Sequence, residues 1–439
     1  MTAEWYMAYG GVEVANHTRL GVYLDTVGSP LSSYGPCGCP TVTAEHFGDT
    51  PYSTPEEDAA PWYDPDAPES AEFAGVMILE VAGIDDRPVR RTVTGGIVGG
   101  GSIGPARALP RTITVTALIL GSTCCGVEYG LHWLGEVLQG CSGGDCDGDC
   151  LTLYSCCPGE DMTPEDFNAE HRRTLRRVAL VEGPTVVARA GTGCDTGDCQ
   201  SGADIITVEW VLTAATPWLW TDTTPVLEVA PPGDDDDTCI TWCVHPPDGP
   251  GCSGPCRFAP CPDPTALCAD PRCLPPPPPT PTLPSETCYC LPVAIERECY
   301  ELDLTSRPAW SADAPMITVR AGSADLRNLT IEIFERSPND VGLTADEVAD
   351  NGRCSPHSVY SVIYVPAGGA LTLDGQVGRA TVECGGTCES SPDVYGRDGL
   401  PPTWRLFECA SYVVCLSSDV SNPPADGAMV TLGLSGRGR

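Results

Sequence analysis

Apolar and polar positions alternate from Thr112 to Leu120, with Ile113, Val115, Ala117 and Ile119 set between Thr112, Thr114 and Thr116. A side-chain period of two marks a strand with one buried face. The same reading predicts strands at Glu72–Leu79, Thr174–Leu180 and Asp204–Thr213, the last with Ile206, Val208, Trp210 and Leu212 on one face. The period lengthens after Val127. Leu131, Leu134, Val137 and Leu138 recur at three- and four-residue spacing, which predicts a helix over about Glu128–Gln139. A Cys/Gly/Asp loop follows, from Gly140 to about Gly159.

Beyond residue 293 the pattern is again that of short strands. Leu329, Ile331 and Ile333 alternate with Thr330, Glu332 and Phe334, and further strands are expected at Ser361–Val365, Leu371–Leu373, Tyr412–Leu416 and Met429–Leu434. Strands at this spacing, divided by Gly/Pro turns, point to a sandwich or jelly roll. Between the patterned zones, residues 226–292 are dominated by Pro, Cys, Gly and Asp. They contain Asp234–Asp237, five consecutive prolines at Pro275–Pro279, and nine cysteines between Cys239 and Cys290. A proline run of this kind is a stiff polyproline II spacer.

The expected organisation is therefore mainly β. A β-sandwich or split-barrel domain with one helix covers 1–225 and opens with a loop-rich, extended arm (1–70). A Cys/Pro-rich spacer covers 226–292, and a second β-sandwich or jelly-roll domain covers 293–439.

Charge narrows the partners. The 439 residues carry 60 acidic and 24 basic side chains, a formal net charge of −36, and every basic residue is Arg. Sequence-independent nucleic-acid binding needs cations to neutralise phosphates, so gripping DNA or RNA is excluded as the expected role. A negative wall does suit a conduit past which a polyanion slides. Met1–Tyr6 has no basic or apolar leader pattern, and the longest uncharged stretch, Thr112–Val127, falls short of the ~20 apolar residues of a membrane span. The expectation is a soluble chain made in the cytoplasm. The 26 cysteines point instead to an oxidising medium. Cytosolic synthesis followed by release at lysis reconciles the two.

Motifs for chemistry are few. Gly99–Gly104 matches G-x-G-x-x-G, but Pro105 and a strand follow where a dinucleotide site needs a helix, so a glycine-rich hairpin is expected. Gly140-Cys141-Ser142-Gly143-Gly144 matches G-x-S-x-G but follows a helix, and His171, His245 and His357 downstream lack the setting of a catalytic base. Asp145, Asp147 and Asp149 alternate like the start of a calcium loop. An EF-hand would need Gly and Glu where Cys150 and Cys156 stand, which leaves a solvated acidic loop or a weak calcium site.

C-x-x-x-C occurs at Cys146/Cys150, Cys239/Cys243, Cys252/Cys256 and Cys384/Cys388. Local disulfides, a structural zinc on Cys239, Cys243, Cys252 and Cys256, and free thiols are the three readings. A redox catalyst is not expected without C-x-x-C, and no cofactor is expected beyond the zinc reading.

Ala60-Pro61-Trp62-Tyr63-Asp64, Pro68–Phe73, Tyr129–Leu134, Arg173–Val178 with Gly183-Pro184, and Ala214–Trp218 together resemble the minor tail proteins of actinobacterial siphophages, of the distal-tail-protein family. So do Asp325–Leu329, Tyr364–Gly369 and Leu373-Asp374-Gly375. The resemblance implies a non-enzymatic virion protein at the tail tip, assembled in the host cytoplasm. It implies a homo-hexameric ring of N-terminal domains with C-terminal sandwiches projecting outward. It also implies contacts with the tail tube protein, the tape measure protein, the baseplate hub and other tail-tip proteins. No catalytic residue is carried over.

Two other functions fit less of the chain. One is a carbohydrate-binding tail module with aromatics around Tyr395 and Trp404 in the C-terminal sandwich; the other is a cell-wall hydrolase, which lacks an organised acid/base pair.

Overall fold

A computed structural model describes residues 5–33, 39–49, 51–96, 99–141, 148–190, 204–233, 239–244, 287–292, 295–384, 387–419 and 422–437. It is mainly β and divides into two units, 1–222 with 435–439, and 223–434.

The first unit is built on one antiparallel sheet. Its strands are β1 (Tyr6–Tyr9), β2 (Val12–Asn16), β3 (Phe73–Ala82), β8 (Arg111–Gly121), β9 (Asp149–Tyr154), β10 (Arg172–Ala190), β11 (Asp204–Ala214) and β12 (Trp220–Thr221). They lie in the order β2-β1-β9-β10-β11-β8-β3, with β12 beside β10. Two small ribbons stand between β3 and β8: β4 (Val89–Arg90) with β7 (Arg107–Ala108), and β5 (Val93–Gly95) with β6 (Gly101–Ile103). The glycine run at 99–104 thus lies on a hairpin, as its flanks require.

The alternation on β8 and β11 has the predicted outcome. Ile113, Val115, Ala117 and Ile119 are fully buried, as are Val208, Trp210 and Leu212. Each large apolar side chain removed from water in this way stabilises the unit by roughly 1.5–3 kcal/mol.

Helix α3 (Cys124–Gln139) covers this face. It begins four residues before the expected start, because the Thr123 side chain accepts from the Gly126 N–H as an N-cap. Its buried stripe is Val127, Gly130, Leu134 and Leu138, with Leu131 and Val137 at the margins. Gly130 is obligatory there, since a Cβ would sit 2.5 Å from the Phe73 ring.

The arm read from sequence as loop-rich, residues 1–70, contributes β1, β2, α1 (His17–Thr26) and the start of α2 (Glu69–Glu72). Met7, Tyr9, Val14, Tyr23 and Trp62 are part of the unit's own core. Strands of four and five residues are too short for a period to show in sequence. A satellite cluster of Trp5, Val42, Tyr154 and Phe167 lies beside α4 (Pro164–His171), where Tyr154 and Phe167 stack at 4.6 Å. Cys39 and Cys157 are disulfide-bonded next to it, 118 residues apart.

The second unit is a sandwich. One sheet runs β13 (Thr224–Val229), β25 (Met429–Gly436), β17 (Asp313–Arg320), β20 (Ala370–Asp374), β21 (Arg379–Cys384) and β22 (Thr387–Ser390). The other runs β16 (Ile295–Asp303), β24 (Ser411–Asp419), β18 (Leu326–Glu335), β19 (Ser358–Val365) and β23 (Val394–Tyr395). Leu329, Ile331 and Ile333 from one sheet meet Ile317, Leu373 and Leu432 from the other in a single core.

Helix α5 (Ala345–Gly352) packs on the outer face of the five-stranded sheet, over Phe334, Val413 and the Cys299–Cys415 disulfide. A capping box starts it: Thr344 Oγ1 accepts from the Glu347 N–H, and the Glu347 carboxylate accepts from the Thr344 N–H. A two-stranded pair, β14 (Cys239–Val244) and β15 (Thr287–Pro292), completes the strands.

Candidate assembly surface

Strand β10 has two halves in different surroundings. From Arg172 to Val178 it lies between neighbours, with β9 on one side. From Ala179 to Ala190 it pairs with β11 alone among the described residues. Three register shifts break this outer half, at Leu180/Glu182, Glu182/Thr185 and Val186/Ala188. Irregularities of this kind bend and twist a strand without ending it. Gly183 sits at one of them with φ 90, where a Cβ would come within 2.6 Å of the Glu209 carbonyl oxygen.

The outer half leaves apolar side chains in water: Val181 is 64% exposed and Val187 is 61% exposed. Val89, Val93, Ile103 and Leu109, on and beside the ribbons β4–β7 and β5–β6, are exposed as well. Val93 and Ile103 are opposed in register, so their side chains form a cross-strand pair. The β10 extension is held to the body of the unit by Arg189, which pairs with Glu128 of α3 at 2.6 Å. An open strand edge carrying exposed valines is a template for pairing with another chain.

Charges inside the unit keep its N-terminal part in place. Arg19 is buried on α1 and bonds Glu13 at 2.8 Å, the Tyr23 hydroxyl at 3.2 Å and Asp49 at 3.3 Å. Burial pushes the Glu13 carboxyl up, and Arg19 draws it back.

Asp149, one of the three alternating aspartates, is on β9, where its carboxylate accepts from the Cys141 N–H at 2.8 Å. It thereby closes the turn after α3, where Gly140 has φ 54. Burial, and then Asp149, push the Tyr9 phenol up to about 12, and that hydroxyl donates to the Val178 carbonyl at 3.1 Å. The structure gives Asp149 a turn-closing role, while Asp145 and Asp147 lie outside the described residues. So do Cys252 and Cys256, and Cys239 and Cys243 are described only as backbone of β14. Among the described residues no group of three or more His, Cys, Asp or Glu is placed to hold a metal.

Of the C-x-x-x-C cysteines only the Cys150 side chain is described; those of Cys146, Cys239, Cys243, Cys252, Cys256, Cys384 and Cys388 lie outside the described residues. The bridges Cys39–Cys157 and Cys299–Cys415 join residues more than a hundred positions apart, Cys125, Cys141 and Cys354 are disulfide-bonded as well, and Cys150 and Cys156 are free thiols. Of the candidate bases, His171 closes α4 and His357 is half-buried against Phe407 and Tyr412. Burial lowers the pKa of both. Among the described residues, no helix is long and apolar enough to cross a membrane.

No protein-family model matches this chain, and no curated protein sequence does. Among solved structures it is similar to the SPP1 Dit protein, described as a paradigm of the hub adsorption apparatus in phages infecting Gram-positive hosts. That likeness has 10% identity and a TM-score of 0.32, and covers 84% of this chain and 95% of that one. A chain of the phage p2 baseplate in its activated conformation is similar at 8% identity and a TM-score of 0.39, over 82% of this chain and 90% of that one.

Proposed function

We propose that the chain is a structural, non-enzymatic subunit of a phage tail tip. In this reading it is a ring adaptor of the distal-tail type that joins the tail tube to the tip and leaves a channel for DNA. The observation that carries the reading is the outer half of β10, an open edge with Val181 and Val187 in water. A closed ring is built from heterologous contacts, one patch meeting a different patch on the next copy. An open edge on one side of a subunit supplies half of such a contact. The resemblance of its ordered motifs to those of actinobacterial siphophage minor tail proteins supports the same reading. The net charge of −36 suits a lumen through which DNA passes without adhering. Tube protein, tape measure protein and baseplate hub are the partners this role calls for.

The test is direct. Purified full-length protein should form closed rings in negative-stain images, six copies by light scattering, and antibodies should label the tail tip of virions. Charging the edge with V181E/V187E should return the protein to monomers while its melting temperature holds. A protein that stays monomeric at every concentration, or label found away from the tail tip, overturns the proposal.

A further inference from the structure

The outer face of the five-stranded sheet in the second unit is only half covered. Helix α5 covers Phe334, Val413 and Cys415. Beside it the sheet is open, and a cleft of about 520 Å³ lies over β18, β19 and β23. Inward-facing Leu329, Ile331, Tyr360 and Val362 belong to the core, so Thr330, Glu332, Ser361 and Ile363 face outward.

Register places one polar residue from each strand in a single row: Arg297, Ser417, Thr330, Ser361 and Tyr395. The α5 end of this row is occupied, because Arg297 pairs with Asp350 at 2.8 Å and Asp346 at 3.4 Å. The other end is free of the helix, and Tyr395 there is 41% exposed.

A solvated polar face is the ordinary outcome for such a sheet, but this one has walls. Arg353 and Pro356 line one side, and the turn at 396–399 lines another. The turn is held at both ends. Gly396 N–H donates to the Leu400 carbonyl at 2.6 Å, and the Arg397 guanidinium donates to the Cys354 carbonyl at 2.6 Å. Asp398 within it takes a positive φ of 56, a conformation that costs a non-glycine residue energy and that recurs at binding sites. Glu332 is half-buried on the floor. Burial raises its carboxyl, and Arg297 and Arg397 draw it down. Among the described residues no hydrogen bond or ion pair within 4 Å occupies it, so the carboxylate is available to accept.

We propose that this cleft binds a neutral oligosaccharide. The Glu332 carboxylate accepts hydrogen bonds from two adjacent sugar hydroxyls, and Thr330 and Ser361 complete the hydroxyl contacts. The Tyr395 ring and Ile363 take the C–H face of a pyranose. A few convergent polar groups beside exposed apolar surface in a preformed concavity are the usual make-up of a small-ligand site. Neutral rather than acidic sugar is favoured because Arg397 is engaged by the Cys354 carbonyl and Asp398, which leaves Glu332 to meet the ligand, and because the net charge of −36 repels polyanions. The inference stands apart from the ring proposal, since a monomer could carry the same cleft.

An array of neutral hexose, pentose and hexosamine oligosaccharides probed with full-length protein should return saturable binding, followed by calorimetry with the best hit. E332Q, which keeps the side-chain shape, should weaken binding at least tenfold, and Y395A should do the same, with both melting temperatures unchanged. No binding across the array overturns the proposal, as does affinity kept within twofold in both variants. Binding confined to phosphorylated or sulfated glycans overturns it too, because the arginines and not Glu332 would then be the recognition groups.

Discussion

Breaking the Cys39–Cys157 bridge should cost the first unit several kcal/mol. The bridge closes a chain segment of 118 residues. The loop-entropy relation for a segment of that length gives about 5 kcal/mol at 25 °C. Cys125 and Cys141, inside the same segment, are disulfide-bonded as well and already restrain the unfolded chain, which brings the expectation to about 3–5 kcal/mol. The perturbation is C39A/C157A, in which both partners are removed so that the free, exposed Cys156 thiol has no Cys39 to bond in place of its neighbour. Six of the nine tryptophans lie in residues 1–222, so fluorescence during a urea titration reports mainly on this unit. With m of about 2 kcal/mol/M, the first transition should move down by roughly 1.5–2.5 M urea. C299A/C415A should leave that transition in place and weaken the second unit instead. A shift below about 0.5 M for the Cys39 variant would refute the reasoning, since the bridge would then not restrain the unfolded chain.

Three further outcomes follow from particular contacts. R19M leaves Glu13 buried without its partner, at a cost of about 3–5 kcal/mol by thermal unfolding. Because burial raises the folded-state pKa of Glu13, this loss should be smaller at pH 5, where the carboxyl can take a proton, than at pH 8. G130A should destabilise by about 1–3 kcal/mol through its clash with Phe73. G135A on the same helix has open space and should stabilise by up to about 1 kcal/mol, both read from urea midpoints. His357 has a folded-state pKa lowered by burial, so the unfolded chain binds more protons as pH falls. Stability of the second unit should therefore drop from pH 7.5 to pH 5.5, and H357Q should flatten that slope in thermal melts.

Strands with one wet face were legible in sequence because their period is carried by many residues. The faces of β8, β11 and β18 needed no correction beyond a residue or two at their ends. Elements governed by one local contact were not. The start of α3 depends on the Thr123 cap, and Cys124-Cys125-Gly126 behind it has no helical pattern. Strand β10 runs past Gly183-Pro184, a pair that reads as a stop, because register shifts absorb both residues. Helix α5 does carry a signal in sequence, Thr344 followed three residues later by Glu347, the spacing of a capping box.

The open edge of β10 was illegible for another reason. Val181, Val186 and Val187 have the composition of a core strand, and only the end of β9 pairing at Val178 leaves them in water. Tyr395 and Trp404 look alike in sequence. In the structure Trp404 packs on Tyr360 at 5.5 Å, while Tyr395 lines the open cleft.

The row Thr330, Ser361, Tyr395 also works as a ruler. Neighbouring strands in a sheet are about 4.8 Å apart, so three strands offer contacts over roughly 10 Å. On its other side the row has one more rung, Ser417, and ends at Arg297, which is held by the acidic side chains of α5. A chain of repeating units laid across the strands meets a fixed number of rungs and then bare solvent. Affinity for such a chain should climb with its first few units and level off once the rungs are filled, so that length, and not only composition, becomes something this surface can measure.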